Sequence, residues 1–333
     1  MPVMPPEWEP HARTWMAFPP DTPTSADLDA AGLEDVRRAW AAVANVIVGF
    51  EPVTMVVSPA DADTARRLLD DRVDLLPARL DDAWMRDIGP TFVREDSGRL
   101  AAVDWVFNGW GAQSWSRWGD DAQIATVVAG AAGTPVIASP LVNEGGGIHV
   151  DGRGTVLVTE TVQLDPGRNP GATRASVEAE LRRTLGVERV VWLRRGLTRD
   201  YEDFGTRGHV DIVASFAGPD TIVFHDQRDP EHPDAAVSAE VRDLLADAGP
   251  WRLVPIPAPT VLRDDEGWVD YSYINHYVCN DAVILCAFDD PNDDVAAAIL
   301  QDLYPDRQIV QVDARTIFSR GGGIHCITQQ EPA

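Results

Sequence analysis

The chain contains no lysine: all 28 of its basic residues are arginine. That absence removes mechanisms built on an ammonium side chain, including the P-loop phosphate clamp, the ATP-binding lysine of kinases and Schiff-base chemistry with pyridoxal phosphate. Cysteine is scarce as well. Cys279, Cys286 and Cys326 cannot all pair, and none forms a Cys-x-x-Cys, so neither a disulfide framework nor a structural zinc site is expected. No apolar run approaches the roughly 20 residues needed to span a bilayer, because Asn45 to Val57 is broken by Glu51 and Pro52. Met1 to Pro10 has no basic region and no apolar one, which predicts no secretory signal and a cytoplasmic location. No stretch is enriched in proline and glycine as a linker would be, so residues 1–333 are expected to form one domain. The formal charge of −25 argues against nucleic acid and anionic membranes as partners and would concentrate cationic ligands near the surface.

What the chain does have is a recurring polar signature. Gly321-Gly322-Gly323-Ile324-His325-Cys326 sets a cysteine directly after a glycine run, where backbone can come close to a ligand. Asn143-Glu144-Gly145-Gly146-Gly147-Ile148-His149 has almost the same shape, with a carboxylate leading in place of a thiol trailing. Gly208-His209-Val210-Asp211 and Trp84-Met85-Arg86-Asp87-Ile88-Gly89-Pro90 are further polar clusters, each followed by a strand-like run. Asp87, Glu144, His209, Asn275 and Cys326 are spaced 57, 65, 66 and 51 positions apart, which divides the chain into five similar units.

The segments between these residues alternate. Val53 to Ser58, Val156 to Thr159, Val190 to Leu193, Thr221 to Phe224, Ala282 to Cys286 and Gln308 to Val312 are β-branched runs that predict strands. Leu33 to Val48, Asp61 to Leu69, Arg174 to Leu185, Ala235 to Leu245 and Asp293 to Leu303 carry helical spacing, with Thr173 and Asn292 as expected N-caps and Gly186 as an expected C-cap. Alternation of this kind ordinarily indicates a Rossmann-type sheet. No Gly-x-Gly-x-x-Gly follows a strand, however, and a polar residue at one point of every unit predicts radial repetition, with mixed strand and helix blades closing into an α/β propeller.

Read together, Trp84 to Thr91, Glu144-Gly145-Gly146, Gly208 to Asp211 and Gly321-Gly322 with Ile324 to Gln329 resemble, in order, the signature of the agmatine deiminases. Glu7-Trp8-Glu9-Pro10-His11 with Thr14-Trp15-Met16 extends the resemblance to the N-terminus, so that it spans about residues 5 to 330. It implies the five-bladed, pseudo-fivefold α/β propeller (pentein) of the guanidine-modifying superfamily, which includes arginine deiminases, dimethylarginine hydrolases, amidinotransferases and bacterial peptidylarginine deiminases. It implies no metal or organic cofactor, a small cationic guanidino substrate and a possible homo-oligomer. Four departures fall near the expected mouth of the site: a longer Leu197 to Arg207, Ile212 and Gly323 each in place of asparagine, and an altered and shorter Gly109 to Asp121.

The residue types suit the chemistry. A guanidinium is planar, delocalised and permanently charged, so paired carboxylates are the natural way to hold it. Asp87 and Asp211 are the candidates, with Glu144 accepting a hydrogen bond from His209 or the substrate. Cys326 is the candidate nucleophile and His209 the candidate acid and base. Trp84, Gly322 and Gly323 are expected to line the substrate site. Among the dense tryptophans Trp84, Trp105, Trp110, Trp115 and Trp118, most are expected in the core, and Trp84 is the expected exception. His149 and His325 are expected to be structural. Arg207 and Arg320 flank the two site motifs and could bind a substrate carboxylate or pair with local acids such as Asp203.

Overall fold

Apolar residues in the segment Ala30–Ile47 recur at helical spacing, and Leu33, Val36, Trp40, Ala41, Ala44 and Ile47 are buried along one face. Asp29 starts this helix by accepting a bond from the Gly32 amide, which satisfies one of the open donors of the first turn. In the computed structural model, which describes residues 1–25, 27–264 and 267–333, this helix links two parallel strands, His11–Ala17 and Val53–Val57. The same unit recurs. Ile124–Ala132 links parallel strands Leu100–Val106 and Val136–Val142, and Arg174–Leu185 links Thr155–Thr159 and Arg189–Leu193. Asp234–Ala248 links Thr221–Asp226 and Arg252–Pro257, and Asn292–Leu303 links Ala282–Ala287 and Gln308–Asp313.

Each parallel pair gains a third, antiparallel strand on the side of its first member: Thr91–Arg94, His149–Val150, Ala214–Phe216, Tyr277–Cys279 and Thr328–Pro332. The last of these comes from the far end of the chain and pairs with His11–Ala17, in a sheet that Asp74–Pro77 extends to four strands. The fold is therefore α/β, with five mixed sheets and one short ribbon, Arg263–Asp264 with Gly267–Trp268, among the described residues. Among the described residues no helix is long and apolar enough to cross a membrane.

All six expected strands and all five expected helices are present, with ends shifted by a few residues. Thr173 caps Arg174–Leu185 through a reciprocal bond with Ser176, and Gly186 closes the helix in the left-handed conformation. Asn292 is a correction: it is the first helical residue, its amide held by Asp290 Oδ1 at 2.9 Å, while its own side chain donates to the Ala258 carbonyl at 2.6 Å. Arg252–Pro257 escapes sequence reading because Pro255 and Pro257 argue against a strand. It pairs on one side only, where missing N–H groups cost little.

Candidate active site

The antiparallel third strand of each of the five mixed sheets is entered from a short, tightly turned segment, and those segments carry the polar residues. Asp87 lies on the single helical turn Met85–Ile88, which leads into Thr91–Arg94. Glu144 precedes the turn Gly145–Gly147, and His209 and Asp211 sit at the turn Val210–Ile212. Asn275 and Cys326 each stand two residues before a strand. All six side chains are buried, and they converge. Asn275 Nδ2 donates to Cys326 Sγ at 3.3 Å, and Asp211 Oδ2 lies 3.6 Å from the same sulfur. His209 places Nε2 3.2 Å from Glu144 Oε2 and Nδ1 3.8 Å from Asp87 Oδ1.

Glycine permits this convergence at two points. A Cβ on Gly146 would lie 2.4 Å from His209 Nδ1 and 3.0 Å from Asp87 Oδ1, whereas the bare amide instead donates to Asp87 Oδ1 at 3.1 Å. A Cβ on Gly322 would lie 2.7 Å from the Trp84 ring and 3.1 Å from Cys326 Sγ. At Gly323 the space is taken by Asn275 Oδ1, 2.5 Å from where a Cβ would be, so an asparagine there would displace Asn275.

Electrostatically the site is an array of carboxylates around one imidazole. Burial would lower the pKa of His209, but Asp87, Glu144 and Asp211 more than offset it and raise it to about 9, so the ring is an imidazolium at neutral pH. Burial raises Asp87 to about 6; His209 opposes that rise, and the like charges of Glu144 and Asp211 add to it. Glu144 goes the other way despite its burial, held at about 2 by Arg168 and His209. The Cys326 thiol is pushed well up by burial and by the charges of Asp211 and Asp87. Two polar atoms of the site, His209 Nδ1 and Asp211 Oδ1, are buried without a hydrogen-bond partner among the described residues. Orphaned groups of this kind are rare in folded proteins and here mark where a ligand can bond.

Two residues of the site are not foreseen by the sequence motifs. Arg168 is fully buried, and its Nε contacts both oxygens of Glu144 at 3.0 Å while its other nitrogens donate to Asp165 Oδ2 and the Thr206 carbonyl. Trp110, expected in the core, donates its indole N–H to Asp87 Oδ2 at 2.9 Å. It does so from Gly109–Ala112, four consecutive residues with positive φ of 69°, 56°, 90° and 56°. For Trp110 and Ala112 this left-handed backbone costs roughly 1–2 kcal/mol each, and strain of that kind persists where the surroundings impose it. Trp115 stacks on Trp110 at 5.4 Å and meets Phe204 at 5.2 Å, forming an aromatic wall. Trp84 packs edge-on against Trp40 and faces Gly322, and it also lines an open cleft with Asp82, Phe204 and Arg320. Trp105 is a core residue bonded to Thr91.

Neither flanking arginine pairs with Asp203. Arg207 donates to Asp165 at 3.1 Å, and Arg320 forms a two-nitrogen pair with Asp27. His149 accepts a bond from the Phe216 amide and is driven to about 3 by burial, which fits a structural role. His325 bonds Asp211 through Nδ1 at 2.7 Å and Glu7 through Nε2 at 2.8 Å. Glu7, His149 and His325 present ligand-type atoms within 4.8 Å of one another, but both ring nitrogens of His325 are committed to carboxylates.

The whole-chain comparisons agree with one another. The family model for Porphyromonas-type peptidyl-arginine deiminases matches residues 3–332. A Streptomyces coelicolor protein provisionally named an agmatine deiminase is 61% identical over 99% of this chain and 98% of its own length. The agmatine deiminase of Ectopseudomonas mendocina is 38% identical, with 99% of this chain and 95% of that one covered. The solved structure of the Enterococcus faecalis agmatine deiminase superposes with a TM-score of 0.91 at 32% identity, covering 99% of this chain and 96% of that one. The chain belongs to the Porphyromonas-type peptidyl-arginine deiminase family and is, with it, a hydrolytic deiminase of the α/β pentein fold.

Proposed function

We propose that the protein hydrolyses agmatine to N-carbamoylputrescine and ammonia. The observation that carries this reading is the site itself, in which a buried cysteine faces two carboxylates suited to a guanidinium and an imidazolium lies beside one of them. Asp87 and Asp211 hold the guanidinium nitrogens, the orphaned Asp211 Oδ1 accepting one of the N–H bonds. The cation also changes the thiol. Asp211 and Asp87 push the thiol pKa up in the free protein, and a bound guanidinium neutralises both, favouring the thiolate. Cys326 Sγ then adds to the guanidinium carbon. The C–N bond breaks as His209 gives its proton to the leaving nitrogen, releasing ammonia and leaving a cysteine-bound thiouronium. The neutral His209 takes one proton from water as the water oxygen adds to the same carbon; the C–S bond then breaks as the second proton of that water passes to the departing sulfur, and the ureido product and the free thiol are released. In this reading the five sheets are blades of a closed five-bladed propeller, formed by one domain over residues 1–333 of a cytoplasmic enzyme.

Agmatine is preferred to arginine because the two arginines that could take a carboxylate are already paired with Asp165 and Asp27. Asp82, half-buried in the cleft beside Trp84, and the Trp110–Trp115–Phe204 wall suit a distal ammonium instead. A panel of guanidino compounds scored for ammonia and ureido product tests the assignment. Agmatine should be turned over with the highest kcat/KM, and Arg207→Ala and Arg320→Ala should each stay within about threefold of wild type. An enzyme that favours arginine, and loses that preference when one of these arginines is removed, would refute it.

The pH profile follows from the same groups. Asp87 must be ionised to grip the substrate, so kcat/KM should rise through about pH 6. His209 must be protonated to serve the leaving group, so kcat/KM should fall above about pH 9. Trp110→Phe removes the N–H that stabilises the Asp87 carboxylate. Its acidic limb should therefore move to higher pH while the basic limb stays in place.

A further inference from the structure

The N-terminal segment Glu7 to His11 has no part in the chemistry above, yet it reaches directly beneath the nucleophile. His325 immediately precedes Cys326, and its ring bridges two buried carboxylates, Asp211 Oδ2 at 2.7 Å and Glu7 Oε2 at 2.8 Å. A ring nitrogen that close to a carboxylate oxygen carries the proton between them, and with both nitrogens so placed the ring is an imidazolium. We propose that Glu7 and His325 are positioning residues which, from below the site, fix the Asp211 carboxylate in its ionised form and in the orientation that presents Oδ1 to the guanidinium.

Glu7 is built for this task. Its Oε1 accepts the Val278 amide at 2.7 Å, and Arg86 approaches Oε2 at 3.5 Å, so the carboxylate cannot rotate away. Its backbone is pinned as well: His11 Nε2 bonds the Glu7 carbonyl at 2.8 Å, while His11 Nδ1 lies 3.1 Å from Glu51 Oε1. The charged and titratable groups facing His325 are Glu7, Asp211, Arg86, His149 and His276. Arg86 opposes a positive ring, and His149 and His276 are held neutral by burial, leaving the two carboxylates to fix its charge. Asp211 in turn faces His325, His209, Arg86, Asp87 and Cys326. Of these, only His325 is hydrogen-bonded to its Oδ2 at less than 3 Å.

This inference rests on Asp211 as a guanidinium ligand, but one of its tests needs no substrate. Nitrogen-15 spectra of the wild-type protein, assigned through backbone connectivity, should show both His325 ring nitrogens protonated from pH 6 to pH 8. A neutral His325 tautomer at pH 7.5 would overturn the proposal. Glu7→Gln keeps the shape of the side chain and removes its charge. It should raise KM for agmatine about tenfold or more with a smaller change in kcat, and it should steepen the acidic limb of kcat/KM as Asp211 begins to titrate beside Asp87. A folded Glu7→Gln enzyme with wild-type KM and pH profile would also overturn it; should that variant not fold, the nitrogen spectra decide alone. Failure of the substrate assignment looks different: the wild type would release no ammonia from agmatine while the His325 spectra remained as described.

Discussion

Replacing Cys326 with alanine should lower ammonia release by roughly ten-thousandfold or more, since no other group in the site can form the covalent intermediate. The protein should stay folded. The sulfur's polar contacts are with Asn275, Asp211 and the Gly323 backbone, and the two side chains keep other partners: Asn275 Oδ1 accepts the His325 amide and Asp211 Oδ2 accepts the His325 ring. Removing a thiol that two carboxylates hold protonated also leaves no buried charge unpaired. Mass spectrometry of a wild-type reaction quenched in denaturant should show an adduct confined to the peptide bearing Cys326. Cys286 should remain unmodified, because burial pushes its pKa up to about 12 and its sulfur is already bonded to the Asn275 carbonyl. Activity of Cys326→Ala above about 1% of wild type would show that the reaction does not pass through this sulfur.

Arg168→Met should be the most destabilising single change in the site. The guanidinium is completely buried and satisfies Glu144 and Asp165 together, so a neutral residue of similar length leaves Glu144 with His209 alone and Asp165 with the half-exposed Arg207 alone. Breaking a buried pair from one side costs about 3–5 kcal/mol, and the melting temperature should fall on the order of 10 °C. The loss should depend on pH in a defined direction. With Arg168 present, Glu144 has a folded pKa of about 2 against an ordinary 4.5. Its contribution to stability is complete above 4.5 and disappears as pH falls toward 2. The gap between wild type and Arg168→Met should accordingly be widest at neutral pH and narrow on acidification through that window. A gap independent of pH would mean that Arg168 acts through packing alone.

The polar residues are legible in the sequence because each announces itself locally. Asp87, Glu144, His209 and Cys326 stand beside glycines or turns and are followed by β-branched runs, a pattern that survives without knowing where the segments meet. Arg168 leaves no such trace. It sits in Asp165-Pro166-Gly167-Arg168-Asn169, which reads as an ordinary surface turn, and its burial depends on Glu144, 24 positions away. Trp110 is obscured for a different reason: its indole reaches Asp87 only because the backbone runs left-handed through Gly109–Ala112, a conformation that side-chain patterning does not encode. The substrate-side arginines lie between these extremes. That they pair with acids can be weighed from the sequence, but Asp165 and Asp27 are not their obvious partners, being 42 and 293 positions away. Strand and helix existence follows the periodicity closely, whereas Arg252–Pro257 and the polar Thr328–Pro332 need the neighbours they pair with.

The pairing of His11–Ala17 with Thr328–Pro332 also orders events during biosynthesis. A ribosome delivers Glu7 long before Cys326, and joining the two segments closes a loop of roughly three hundred residues, the kind of distant contact that forms late in folding. The Arg86 amide, which bonds the Cys326 carbonyl at 3.0 Å, waits for the same moment. A nascent chain thus exposes the carboxylates and imidazole of the site before it exposes the Cys326 sulfur, and a message cut short ahead of Cys326 yields a protein that keeps Cys279 and Cys286 but lacks the nucleophile of the site.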